Sequence, residues 1–366
     1  RRSELPSRRE HCSGASLPPK GDPQVQHALE QLLEINQPVV MAQLLGWFMA
    51  CHLKAHIMRA FSQFPVLSVW GNAEAGKTQT TALLACLNGC DYLRGESPLN
   101  VSKTTEFPLI LYISSTTTIP RLMEEFNKSL MEVRRYNSVT EILKSAYNEL
   151  AWSRGSVRRG KTDGQNRVSG AEAVDVPVSA PLVTVSEQAP TMPAVVQRSI
   201  QVLLSKGLRA GRDEFFFEAK RGRHQLHQVA RAAVFMALSK SVQEVHDMVN
   251  ANEHLLPVRL VDRPRFNFLT VLAGLDFFAE LCGPKALSLN LGDKIAGLKT
   301  ALVEHLVKNA DSIARGKERS EVDGVMEAIL QMIGRGLATN DLKDSDLVPG
   351  AHYHIDKKAK RLVARR

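Results

Sequence analysis

Residues 71–78 read Gly-Asn-Ala-Glu-Ala-Gly-Lys-Thr, the spacing G-x-x-x-x-G-K-T. Each position has a chemical reason. Gly71 and Gly76 let backbone N–H groups turn toward a phosphate with no Cβ in the way. The ammonium of Lys77 can reach β- and γ-phosphate oxygens, and the Thr78 hydroxyl can sit on Mg2+. Asn72, Ala73, Glu74 and Ala75 complete the loop, and Gln79 follows it. The preceding PVLSVWG is short, apolar and β-branched and predicts a buried strand. The following QTTALLACLNG predicts a helix ending near Gly89, whose first turn adds partial positive charge at the loop. ATP and Mg2+ are the expected cofactors.

Such a cradle needs an acid to hold the metal through water and another to polarise the attacking water. The stretch IPRLMEEF supplies Glu124 for the metal and Glu125 for the water at the end of a second strand, although Pro120 and Arg121 interrupt its apolar run. A third strand, APLVTVSEQAP, delivers Ser186 and Glu187 at its C-terminal end, where ligands gather in parallel α/β sheets. Glu187 is placed to sense the γ-phosphate or orient water, and helix capping is the plainer role open to Ser186. Arg198 follows in QRSIQVLLS, read as part of a helix over 191–206. In a ring-forming ATPase an arginine there can reach a neighbour's nucleotide. Arg209 and Arg212 are further candidates.

Between 154 and 167 the chain carries Arg154, Arg158, Arg159, Lys161 and Arg167 against the single acid Asp163. That polar, Gly-rich segment, 153–173, predicts an exposed loop suited to DNA phosphate contacts that ignore base identity. The tail bears Lys357, Lys358, Lys360, Arg361, Arg365 and Arg366 with no acid after Asp356. It fits either the wing of a winged helix or a frayed end. Cys86 and Cys90 form a C-x3-C pair, but no second pair exists among the five cysteines, so the spacing does not point to zinc. His224 and His227, an H-x-x-H pair, are expected at the surface; Phe215–Phe217 and Phe277–Phe278 are expected in the core.

The elements that must position these groups follow from periodicity. Residues 26–62 predict two helices divided by Pro38. Residues 103–117 fit helix or strand, and 128–153 predict a helix. Beyond 213 the pattern turns helical, over 214–239, 241–254, 266–282, 291–310 and 319–334. The end alternates as a β-hairpin, YHID then RLVA. The expected class is α/β, a P-loop NTPase core with N-terminal helices and a C-terminal, mainly α-helical region. Its domains are a flexible lead-in over 1–25, the ATPase domain over 26–210, and the helical region over 211–366.

The 366 residues include 47 Lys+Arg against 38 Asp+Glu, a formal charge of +9, which favours an anionic partner. Hydrophobic residues at 44% exclude wholesale disorder. Five cysteines are too few for a disulfide scaffold, which suits a reducing, cytoplasmic compartment. The chain opens on Arg1-Arg2 and reads as a piece of a longer protein; its first residues lack an apolar signal core, and no apolar run reaches membrane-spanning length.

In order, WGNAEAGKTQTTALLA, SSTTTIPRLMEEFNKSLM, a basic Gly-rich stretch and PVSAPLVTVSEQAPTMPAVVQRSIQVLLS resemble the helicase-type ATPase domain of phage and mobile-element replication proteins. These are the DUF927-like, superfamily 3-like branch of the AAA+-related P-loop ATPases, often fused to a primase or polymerase. The likeness covers roughly 40–210 and continues loosely through RSEVDGVMEAIL. It implies a ring, commonly a hexamer, with nucleotide between subunits and single-stranded DNA in the pore, unwinding forked DNA in the cytoplasm of the host. It assigns Lys77 and Thr78 to phosphate and metal binding, Glu124 and Glu125 to the acidic motif, Glu187 to the sensor and Arg198 to the finger. Glu-Glu stands where the family commonly has Asp-Glu, and Ser-Glu where a sensor Asn is expected. A P-loop phosphotransferase and a nucleotide-gated DNA-loading assembly are the rival readings.

Overall fold

A computed structural model of the chain describes residues 17–94, 97–127, 131–159, 168–315, 353–356 and 361–364. The first helix, α1 (Pro23–Leu33), starts where Asp22 accepts from the backbone N–H groups of Gln24 and Val25. α2 (Pro38–Phe61) begins at the proline expected to divide the segment, because Pro suits a helix start and not its interior. β1 (Val66–Trp70) is buried, and α3 (Lys77–Ala85) runs on through a 3-10 turn, Cys86–Asn88, to Gly89. After β2 (Leu99–Asn100), the ambiguous segment resolves as α4 (Glu106–Ile113), which buries Leu109, Ile110 and Ile113 at helical spacing. β3 (Arg121–Glu124) follows.

α5 (Val133–Tyr147) is shorter than the helix expected over 128–153. Glu149, at φ 51°, turns the chain and pairs with Lys54, a buried lysine of α2 that also donates to Ser179 O at 2.5 Å. The segment expected as a loop over 153–173 is instead a hairpin, β4 (Ala151–Arg159) and β5 (Val168–Pro177), in antiparallel register from Ala151↔Pro177 to Arg159↔Val168. Its polar composition misled because a two-stranded ribbon needs no apolar face to form its ladder.

β6 (Leu182–Ser186) matches its expectation. The helix expected over 191–206 is a correction: the chain makes only a short α6 (Pro193–Val196) and then a strand, β7 (Ser199–Leu203). Ile200 and Val202 alternate inward, and β1 offers a ladder from Val66↔Ser199 to Trp70↔Leu203. Next come α7 (Lys206–Arg209), α8 (Asp213–Arg221) and α9 (Arg223–Ser239). The single helix expected over 214–239 breaks at Gly222, where an added Cβ would lie 2.7 Å from the Ala28 Cβ of α1. α10 (Val242–Asn250) starts with a Ser241/Glu244 capping box, and α11 (Asp262–Cys282) and α12 (Gly292–Arg315) complete the set. The helix expected over 319–334 lies outside the described residues.

The strands order as β2-β3-β6-β1-β7, all parallel. One apolar core, on the face of Leu67, Val69, Leu122 and Val183, takes in α1, α2, α3 and the helices from α8 onward, so it includes residues on both sides of position 210. A second, on the face of Val66, Met123 and Leu182, is closed by α4 and α5. α2 and α11 cross tightly: a Cβ on Gly274 would meet Gly46 O at 1.8 Å. Phe216, Phe277 and Phe278 are buried as expected, whereas Phe217 is 56% exposed. The chain divides into two compact units, Arg1–Gly316 and Lys317–Arg366. In the second, β8 (Tyr353–Asp356) and β9 (Arg361–Ala364) form the expected hairpin. Lys357, Lys358, Lys360, Arg365 and Arg366 lie outside the described residues.

Candidate active site

Because the five strands run parallel, all their C-terminal ends open on one edge. The loop Gly71–Thr78 leaves β1 there. Gly71, at φ 148°, packs so closely on the exit of β7 that a Cβ would sit 1.9 Å from Leu204 O. Gly76, at φ 82°, caps α3 in the left-handed region that glycine adopts without strain. Ala75 is buried, while Asn72, Ala73 and Glu74 are exposed. Glu74 makes a surface ion pair with Lys206 at 2.5 Å, and Gln79 accepts from Lys220 at 3.3 Å.

Lys77 donates its ammonium to Gly71 O at 2.6 Å and Asn72 O at 2.8 Å. Burial lowers its pKa, and the Glu187 carboxylate acts in the opposite sense. Glu187 thus bears electrostatically on the lysine from the end of β6. Ser186 is buried and donates to Gln188 O at 2.6 Å.

β6 lies between β1 and β3, so the end of β3 stands two strand spacings, about 10 Å, from the end of β1. Thr78, on the first turn of α3, crosses that gap: its hydroxyl donates to Glu124 Oε1 at 2.5 Å. Glu125 turns the other way at φ 58°. Asn100 Nδ2 donates to Glu125 Oε2 at 2.7 Å. Ser102 Oγ lies 2.9 Å from the same oxygen and 2.7 Å from Asn100 Oδ1, and its one proton serves either. These bonds, Asn100 first, hold the Glu125 carboxyl below the usual glutamate range. Asn100 went unnoticed in the sequence because β2 is two residues long and carries no motif.

The arginines divide. Arg198 precedes β7 rather than lying on a helix, and its carbonyl accepts from Val66 N at 3.0 Å. It therefore stands at the N-terminal edge, about 16 Å of strand away from the loop that follows Trp70. There Nη1 donates to Ala194 O at 2.9 Å, and the guanidinium faces the Tyr147 ring at 5.8 Å. Arg209 does reach the loop of its own chain: a Cβ on Gly76 would collide with Arg209 Nη1 at 2.3 Å. Asp213 holds Arg209 from behind, with Nε 3.1 Å from Oδ1. Arg212 is turned to Glu34 O at 2.7 Å. Reading β7 as helix hid this, since only a strand carries the chain back to the loop edge.

Of the basic residues expected to meet DNA, Arg154, Arg158 and Arg159 fall on β4, with a register shift between the last two; Lys161 and Arg167 lie outside the described residues.

The loop edge fits a nucleotide and its metal on two counts. Gly71 and Gly76 let the turn pack against the β7 exit and the Arg209 guanidinium, which stands with the Lys77 ammonium at the loop, and Thr78 with Glu124 forms a half-buried pair of hard oxygen donors of the kind Mg2+ takes. A solved structure described as "SCCmec type IV Cch - active helicase" has the same fold over 88% of this chain, with TM-score 0.52 and 14% sequence identity. The chain spans 56% of the length of that structure. No family model matches the sequence, and no curated protein does. The chain is thus an α/β protein built on a five-stranded parallel sheet, and no helix among the described residues is long and apolar enough to cross a membrane.

Proposed function

We propose that the chain is the motor domain of an ATP-hydrolysing DNA helicase or translocase serving the replication of a phage or mobile element, in the AAA+-related, superfamily 3-like class. One observation carries this reading: the Thr78–Glu124 hydrogen bond, which joins the G-x-x-x-x-G-K-T loop to the acidic strand. Two motifs far apart in sequence meet as a metal-binding pair, which a surface lysine turn and two solvated glutamates do not explain. The similar structure's description as a helicase agrees with it.

On this reading Lys77 exchanges its two carbonyl acceptors for phosphate oxygens. Thr78 and Glu124 would hold Mg2+, which would supply charge neutralisation at the phosphates. Glu125 orients the attacking water with the carboxylate oxygen that Asn100 and Ser102 leave open. Glu187 sits within electrostatic range of Lys77 to respond to the γ-phosphate. Arg209 adds positive charge from the same chain, while Arg198, at the far edge, serves a neighbour's nucleotide in a hexameric ring. The basic hairpin β4–β5, with Lys161 and Arg167 between its strands, contacts single-stranded DNA in the pore, and a primase or polymerase module works alongside in the cytoplasm.

The test is ATP turnover by the purified chain with and without single-stranded DNA, together with the subunit number in ATP. A motor shows turnover stimulated by DNA in a closed ring. Turnover indifferent to DNA favours a phosphotransferase, and slow turnover in both conditions favours a nucleotide-gated loader.

A further inference from the structure

The sequence leaves two short pairs without a use, the C-x3-C of Cys86 and Cys90 and the H-x-x-H of His224 and His227. The fold brings one member of each, Cys86 and His227, together with Asp91. Cys86 closes the phosphate-loop helix in its 3-10 turn, Asp91 follows Gly89 and Cys90, and His227 lies one turn into α9. A Cys86 sulfur, an Asp91 carboxylate oxygen and a His227 ring nitrogen all lie within 4.8 Å of one another. His227, expected at the surface, is 27% exposed and packs against Asp91, with Nε2 3.8 Å from Oδ2. We propose that Cys86, Asp91 and His227 form a binding site for a zinc-class divalent cation that clips the end of the phosphate-loop helix to α9.

The donor chemistry selects the cation. A thiolate, an imidazole and a carboxylate together suit Zn2+, whereas Mg2+ and Ca2+ take oxygen donors. Tetrahedral coordination at Zn–S of about 2.3 Å and Zn–N or Zn–O of about 2.0–2.1 Å places donor atoms about 3.3–3.6 Å apart. The His227–Asp91 separation is 3.8 Å and every donor pair lies within 4.8 Å, so the three stand somewhat wider than a bound ion requires. Cys86 is fully buried, while Asp91 and His227 are partly exposed, which gives the ion a route in. Three protein donors leave the fourth position of a tetrahedral ion to solvent.

Burial, then the neighbouring Asp91 charge, push the Cys86 thiol up to about 12. Binding therefore displaces the Cys86 proton to solvent as the sulfur–metal bond forms. Burial lowers the His227 pKa, so the ring keeps a lone pair at neutral pH. Arg223, with Nε 3.7 Å from Asp91 Oδ2, is the cation now facing that carboxylate, and a bound ion competes with it. The site does not depend on the nucleotide reading, since none of its residues belongs to the loop edge.

The test uses the whole chain, stripped with chelator and titrated with Co2+ and then Zn2+. The expected result is about one Co2+ per chain, a sulfur-to-cobalt charge-transfer band, the intense visible bands of four-coordinate cobalt, and loss of both on adding Zn2+. Cys86→Ser should remove the charge-transfer band. His227→Gln, at a part-exposed position, should weaken Co2+ binding about tenfold or more while circular dichroism stays unchanged. Absence of the sulfur band in the parent chain overturns the site. So does cobalt affinity unaltered in His227→Gln, whether or not Cys86→Ser folds.

Discussion

The two edges of one parallel sheet hold their polar side chains in different ways. At the C-terminal edge the partners are exchangeable. Lys77 rests on loop carbonyls, Thr78 on Glu124, Glu125 on Asn100, and Arg209 leans on Gly76. At the N-terminal edge the partners are main chain and packed rings. Tyr147 donates to Asn267 Oδ1 at 3.2 Å, Asn267 donates to Gln197 O at 3.0 Å, and Trp47 donates to Pro65 O at 2.8 Å. Lys54, buried there with Glu149 and Ser179 O, fixes the root of the β4–β5 hairpin. Side-chain pairs at a half-exposed edge can be traded for ligand atoms. Buried groups bonded to main chain cannot, because an unmatched one costs its full desolvation. On the proposed function, the first edge serves the chain's own nucleotide, and the second, Arg198 apart, holds shape.

Substitutions should separate the two edges. Lys77→Ala removes the ammonium meant for phosphate, and ATP hydrolysis should fall by about 10²–10³-fold with the melting temperature unchanged. Turnover at the parent rate would mean that the loop is not the site. Glu125→Gln should lower turnover by about 10²-fold while equilibrium dialysis still finds nucleotide bound. Changing Arg158, Arg159 and Lys161 to Gln should flatten the salt dependence of single-stranded DNA affinity by about 2 log units per log unit of salt. Basal hydrolysis should stay as it was, since the hairpin roots at the other edge; an unchanged slope would take it out of DNA contact.

Smaller effects test the holding edge. Tyr147→Phe leaves Asn267 Oδ1 without its donor and should destabilise by about 1–3 kcal/mol in urea, with hydrolysis per folded molecule unaltered. A turnover change larger than the stability loss would show that the Tyr147 hydroxyl also bears on Arg198, whose guanidinium faces its ring. Asn100→Ala should give the slightest change. Asn100 depresses the Glu125 pKa, so the carboxylate stays charged, and its contribution to stability persists, until pH falls through that lowered value. Without Asn100 the acid limb of the pH–rate profile should move upward toward the ordinary glutamate range.

Legibility in the sequence followed the locality of the cause. α1, α2, β1 and α3 were readable because their breaks, caps and apolar spacing are consecutive. β7 was not, because IQVLL fits helix and strand alike and the ladder offered by β1 decided between them. The β4–β5 hairpin was hidden by a composition that also suits a loop. His227 looked like a surface residue because nothing nearby in sequence shows that α9 packs on the turn after α3.

By itself the sequence determined a glycine turn between a buried strand and a helix that carries Lys77 and Thr78, since these are all properties of adjacent residues. It also determined an α/β class with a helical follow-on and a basic balance. Only the tertiary structure decided that Glu124 meets Thr78, that Asn100 restrains Glu125, and that Arg209 rather than Arg198 stands over its own chain's loop. Those pairings depend on strand order and on which edge a strand exits. Strand order is set by burial and ladder hydrogen bonding across the whole sheet, which no local run of residues encodes.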